Sequence, residues 1–188
     1  MFVIYLHGFA GIGMGDKSQA FVNAFGKEHV SSPDLPVNPI EVEKIINNIV
    51  RKNEDYPLIF VGTSLGGFWA NYFSQKWDTL CVIVNPATRP SKSLKKYLGK
   101  TISKYTKKEI IVTEEDLLEY AKIEKYLSEN TNENNISMFI ANDDSIISPE
   151  ETLKNLPNTS YVELKNDGGH RFEKYWNEVT ARIQELLK

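Results

Sequence analysis

The sequence predicts an α/β fold with a mostly parallel sheet covered by helices on both faces. Three observations carry this. Short apolar runs alternate with longer amphipathic ones along the chain. Several of those runs are apolar throughout, as in Leu58-Ile-Phe-Val61 and Cys81-Val-Ile-Val84, which suits strands buried on both faces. The chain of 188 residues, 41% hydrophobic and 25% charged, has the size and composition of one globular domain.

The elements follow in order. Phe2–Leu6 is β-prone and runs into a glycine-rich loop. Lys17–Lys27 has helical spacing through Ala20, Phe21, Ala24 and Phe25. His29–Pro36 has room for a short strand, ended by prolines. Ile40–Arg51 sets Val42, Ile45, Ile46 and Ile49 on one helical face. Leu58–Val61 reads as a strand, Leu65–Gln75 as a helix and Leu80–Val84 as a strand. Ile136–Ala141 and Thr159–Leu164 add two more strands, and Phe172–Leu187 closes the chain as a helix.

The stretch of about 88–135 interrupts this alternation. Arg89–Lys108 holds eight basic residues and no acidic ones, and Glu109–Glu133 holds eight acidic residues and two lysines. A segment of this length between strands reads as a helical cap or lid insertion. The plain alternative is a surface insertion whose solvated charges pair weakly.

Bulk properties narrow the function classes. A net charge of −3 gives no general attraction to nucleic acid. Cys81 is the lone cysteine, so no internal disulfide forms, in keeping with a reducing compartment. The first residues lack the basic segment and apolar length of a signal peptide, and no run is long enough to span a membrane. A cytoplasmic protein is expected.

The chemistry concentrates at Gly62-Thr-Ser64-Leu-Gly66-Gly67, which follows a strand and opens a helix. This setting exposes a serine hydroxyl at the strand ends, with the Leu65 N–H at a helix N-terminus as an oxyanion donor. Serine needs a base, and the chain offers three histidines. His7 ends the first strand, where it shapes the oxyanion loop. His29 has no motif around it. His170 follows Asp167-Gly-Gly169 between the last strand and last helix, within reach of the strand ends. The acid orienting it is expected after Ile136–Ala141, where Asp143 and Asp144 compete. Asp144-Ser-Ile-Ile147 fits an acid, a spacer and two aliphatics, so Asp144 is the first choice and Asp143 the second. The order Ser, Asp, His is that of the α/β-hydrolase arrangement. The second oxyanion donor is the Phe9 N–H, with Gly8 giving it room.

The loop Gly8–Ser18 superficially resembles a phosphate-binding loop. Asp16 separates Gly15 from Lys17 and sets a negative charge where phosphate would lie. The glycine spacing also fails the dinucleotide pattern. A loop beside the site is expected instead, with Ser18 or Asp16 capping the next helix.

Five pieces of sequence together resemble the YqiA-type esterases, small α/β-hydrolase-like bacterial proteins. They are Tyr5-Leu-His-Gly-Phe9, Gly62-Thr-Ser-Leu-Gly-Gly-Phe68, Val84-Asn-Pro-Ala-Thr-Arg-Pro90, Tyr97-Leu-Gly99 and Gly168-Gly-His-Arg-Phe172. The resemblance spans nearly the whole chain. It implies a minimal α/β-hydrolase fold of about six mostly parallel strands, without the antiparallel hairpin that usually opens the sheet. It implies hydrolysis of carboxylic esters through an acyl-enzyme, with Ser64 as nucleophile and His170 as base. A thioester or acyl-CoA substrate is the alternative, which the basic run Arg89–Lys108 would favour. Arg89, in the stretch leading to the cap, joins His7 and Gly8 as an expected substrate-binding residue. A small ester or thioester is the expected partner; no cofactor, metal or nucleic acid is called for. A non-catalytic binding module on the same scaffold would tend to lack one of the three catalytic groups, yet all three occur in order.

Overall fold

Successive side chains of a strand point to opposite faces, so an apolar run fills two cores at once. The computed structural model, which describes residues 1–103 and 105–186, shows this directly. Its elements are β1 (Phe2–Leu6), α1 (Asp16–Phe25), β2 (Val30–Ser31), α2 (Pro39–Lys52), β3 (Leu58–Thr63), α3 (Leu65–Lys76) and β4 (Leu80–Val84). There follow α4 (Pro90–Ser93), β5 (Gly99–Ile102), β6 (Glu109–Val112), α5 (Glu114–Asn130), β7 (Ile136–Ala141), α6 (Pro149–Asn155), β8 (Tyr161–Lys165) and α7 (Trp176–Glu185). Ile4, Leu6, Phe60, Cys81 and Ile83 pack with α2, α3 and α5. Their neighbours Val3, Tyr5, Ile59, Val61, Val82 and Val84 pack on the other face with α1 and α7, through Phe21, Trp176, Val179 and Ile183.

The central sheet has six strands in the order β2-β1-β3-β4-β7-β8, and every pairing is parallel. This is the expected minimal sheet. The chain enters at β1, goes out to β2, and returns past its starting point to β3. The strand order therefore reverses between β1 and β3. Loops leaving adjacent strands at such a reversal part to opposite faces and open a crevice at the carboxyl ends. Leu6 lies opposite Gly62 in the ladder, so the loop after β1 and the turn after β3 meet at that crevice.

Local sequence explains the element ends. Asn38 caps α2 by accepting from the Glu41 N–H at 3.0 Å, with Pro39 in the first turn. Ser148 and Pro149 do the same for α6, through the Glu151 N–H at 3.1 Å. That Ser-Pro-Glu-Glu signal was readable in the sequence, but the expectation placed no helix there. The strand expected within His29–Pro36 is only two residues long, because prolines 33 and 36 supply no N–H for a longer ladder. The last helix starts at Trp176 rather than Phe172, because Phe172 takes a left-handed backbone, φ 56°. The expected end of that helix at Leu187 lies outside the described residues.

The 88–135 segment is more than helical. The basic half supplies β5 and the acidic half β6, which pair as an antiparallel hairpin with Lys100 opposite Ile111 and Ile102 opposite Glu109. Lys100 and Glu109 form an ion pair at 3.1 Å in largely exposed positions, so it contributes little. Lys104, in the basic run, lies outside the described residues. The acidic helix α5 lays Leu117, Tyr120, Ile123 and Leu127 into the sheet core. Tyr120 is fully buried, touches Phe68 and Trp69, and donates its hydroxyl to the Val37 carbonyl at 2.9 Å. Asp116 ties the start of α5 to Asn38 at 2.8 Å. Half of the segment is thus a covering layer of the sheet.

Tyr120→Ala is expected to lower unfolding free energy by about 3–5 kcal/mol, measured in urea, in one transition shared by the whole chain. A helix acting only as a detachable lid would leave global stability unchanged.

Candidate active site

The tight approach of three backbones builds the site. β3 runs straight into α3, and Ser64 at the junction has φ 54° and ψ −121°, a conformation side chains rarely adopt. The surroundings hold it there. The Ser64 N–H donates to the Val84 carbonyl at 3.0 Å, and its own carbonyl accepts from Gly67 at 2.9 Å and Ala87 at 3.0 Å. A Cβ on residue 62 would strike the Gly66 carbonyl, and one on residue 66 would strike the Leu6 carbonyl. These two glycines are therefore required by space rather than by dihedral angle. Gly8 also lies close, a Cβ there falling 3.2 Å from the Ser64 Cβ.

Ser64, Leu65, His7, Gly8, Phe9 and His170 all border one cavity of about 760 Å³ over the strand ends. That volume suits a small organic ligand. The N–H groups of Phe9 and Leu65, the expected oxyanion donors, donate no hydrogen bond among the described residues. Leu65 is the first residue of α3, where N–H groups have no intrahelical partner.

His170 and Asp144 are brought together from loops after adjacent strands. The His170 Nδ1 lies 2.8 Å from Asp144 Oδ2. The carboxylate side chain is 1% exposed and the imidazole 21%. With Nδ1–H donated to the acid, Nε2 keeps a lone pair. Asp144 Oδ1 accepts from the Ile146 N–H at 2.8 Å and the Ile147 N–H at 3.1 Å. The two residues after the spacer thus orient the acid through their backbone. Burial alone would raise the Asp144 pKa. The hydrogen bonds from His170, Ile146 and Ile147, with the attraction of the imidazole, outweigh it and hold the carboxyl below its ordinary value.

Asp143 has a different position. Its Oδ1 accepts from the Gly169 N–H at 2.8 Å and so fastens the loop that carries His170. Asn85 fastens the same loop, although no role had been expected for its side chain. Its amide donates to the carbonyls of Gly169, at 3.0 Å, and His170, at 3.2 Å, and its oxygen accepts from the Ala141 N–H at 2.8 Å. Asn85 is buried at φ 43°. An asparagine directly after a buried strand, before a proline, was the available signal.

His7 is fixed at both ring nitrogens. Nε2 accepts from the Leu35 N–H at 2.9 Å, so Nδ1 carries the proton and donates to the Gly8 carbonyl at 2.7 Å. Burial lowers its pKa and keeps it neutral. It braces the loop after β1 and has no lone pair for general-base work. His29 lies in a short turn before β2, packed edge-on to Tyr56, away from the cavity. Arg89, expected at the substrate, is exposed at the start of α4 and does not border the cavity; Pro90 begins that helix and turns the chain there. Among the described residues, Lys17, Lys96 and Arg171 are the lysine and arginine side chains that border it. The residue at the cap of α1 is Gly15 rather than the expected Ser18 or Asp16; Ser18 lies inside the first turn and braces it, its hydroxyl accepting from the Gly15 N–H and donating to the Gly15 carbonyl, both at 2.8 Å.

Comparison with solved structures places the fold. The chain superposes on Est1E from Butyrivibrio proteoclasticus with a TM-score of 0.71 at 12% identity, covering 99% of this chain and 86% of that one. For the monoacylglycerol lipase of Paleococcus ferrophilus the TM-score is 0.69 at 14% identity, over 99% and 93%. For mouse alpha/beta hydrolase domain-containing protein 10 it is 0.68 at 16% identity, over 98% and 88%. The fold is that of the α/β hydrolases. Residues 2–187 match the model of a single family, the one to which the resemblance noted in the sequence pointed, and the chain belongs to the uncharacterised protein family UPF0227.

Proposed function

We propose that this protein is a serine hydrolase that cleaves carboxylic esters. The observation that carries the reading is that His170, held by the buried Asp144, borders with Ser64 a cavity over the strand ends. Ser64 Oγ attacks the ester carbonyl while His170 Nε2 takes its proton. The tetrahedral oxyanion lies against the free N–H groups of Phe9 and Leu65. His170 returns the proton to the leaving alcohol, giving an acyl-serine. Water then attacks that acyl group, His170 again accepting and returning a proton, and the acid leaves. Asp144 fixes the imidazole tautomer and stabilises its cationic form. Asp143 and Asn85 hold the loop beneath it. The lipase name of one neighbour, the monoacylglycerol lipase of Paleococcus ferrophilus, agrees with this chemistry.

An active-site phosphonate should label the wild type and Cys81→Ala, and fail to label Ser64→Ala. Ser64→Ala should also lose about 10⁴-fold or more in kcat on a short ester. Labelling that persists in Ser64→Ala would remove the serine from its role.

Asp144→Asn is expected to lower kcat by about 10²–10⁴-fold, because the amide can favour the wrong tautomer. Asp143→Ala should lower it less. The reverse ranking in initial-rate assays would exchange the two aspartates.

A carboxyl with a lower pKa folded than unfolded adds stability above its unfolded value, near about 4, and loses it as pH falls through the folded value. Asp144 is such a group. Melting temperatures of the wild type should therefore drop below about pH 4 more steeply than those of Asp144→Asn. Parallel curves would contradict this.

A further inference from the structure

The cavity beside Ser64 has two chemically different ends. At one, Phe9 stacks on Tyr97 with centroids 4.7 Å apart and packs with Leu94 in the same apolar cluster, the Lys96 ammonium lying 5.2 Å from the centre of the Tyr97 ring. The other end is bordered by Lys17, Arg171, Tyr105, Tyr5 and Trp176. Trp176 stands edge-on to Tyr5, whose hydroxyl meets Thr63, next in sequence to Ser64.

Lys17 has no counter-ion at that end. Its ammonium lies 4.8 Å from the centre of the Trp176 ring, and the Trp176 indole N–H donates to the Lys17 carbonyl at 3.1 Å. Among the described residues no carboxylate lies within 4.0 Å of it. Glu173, an acid of the same wall, is engaged by Arg171 at 2.5 Å. Asp16, the other acid bordering the cavity, is exposed to solvent. Arg171 also donates to the Tyr105 hydroxyl, which keeps a second cation close by. Burial and the repulsion of Arg171 outweigh the pull of Glu173 and draw Lys17 down to about 8. A desolvated ammonium beside another cation is costly to maintain, and an anion bound next to it relieves that cost.

We infer that this end of the cavity is an anion subsite, and that the favoured substrates are esters with an apolar chain at one end and a carboxylate at the other. Lys17 is the anchoring residue and Arg171 adds to the local field. The inference rests on the reading of Ser64 as the nucleophile of an ester hydrolase. It identifies the substrate class by which end of the cavity accepts which chemistry. A cavity of about 760 Å³ has room for both ends of one such molecule.

Matched ester pairs test this on the purified protein. Monoethyl succinate against ethyl butyrate sets the carboxylate on the acyl side. Butyryl glycolate against propyl butyrate sets it on the alcohol side. In at least one pair the anionic member should have a kcat/KM about tenfold higher or more. Lys17→Met, which keeps an unbranched side chain and removes the ammonium, should erase that ratio, while Lys17→Arg keeps most of it. A ratio below about threefold in both wild-type pairs overturns the inference, whatever the variants do. So does a preference that survives in Lys17→Met. Turnover of the neutral esters with serine labelling but no anionic preference overturns the subsite alone. Folded wild type with no turnover and no labelling overturns the hydrolase reading and the subsite with it.

Discussion

Ser64 keeps a left-handed backbone because β1, β3 and α3 approach so closely that residues 62 and 66 have no space for a side chain. Strain of this kind persists only where many contacts over-determine it. Here the Ser64 N–H is tied to β4 and its carbonyl receives bonds from α3 and from Ala87. The loop after β1 takes its position from this junction. It is close to the serine because Leu6 pairs with Gly62, and the crevice opens there because the strand order reverses between those strands.

The histidine loop is positioned in a different way. It is long, exposed in part, and comes from the far end of the chain. Polar side chains secure it: Asn85 at the end of β4, with Asp143 and Asp144 after β7. Three side chains from two loops thus set where His170 lies. Gly169 and Phe172 take positive φ to shape the turn, and Phe172 is fully buried beneath it. The buried ring fixes the loop to the α7 side of the sheet, where it meets Phe139.

The segment between β4 and β7 divides its work. Its helix α5 contributes to the core through Tyr120 and its apolar neighbours, and with α2 and α3 covers that side of the sheet. Its earlier half, with Leu94 and Tyr97, borders the cavity. The lining of the cavity and the stability of the core thus fall to successive parts of one insertion. The charge reversal at Lys108–Glu109 falls between the two strands of its hairpin.

Local pattern determined a good deal of this protein. The apolar runs located the central strands, because burial on both faces leaves a continuous signature. The Gly62–Gly67 pattern located the serine turn, because its steric demands are local. The spacing after Asp144 favoured it over Asp143, because that side chain bonds the N–H groups two and three residues on. Tertiary structure decided the rest. The β5–β6 hairpin was hidden because its strands are short and largely exposed, so no two-faced burial marks them. The role of Asn85 depends on carbonyls 84 and 85 residues away. Arg89 and Lys17 are both cations in loop-adjacent sequence, and nothing local distinguishes them. Packing turned one toward solvent and set the other against Trp176 beside the cavity.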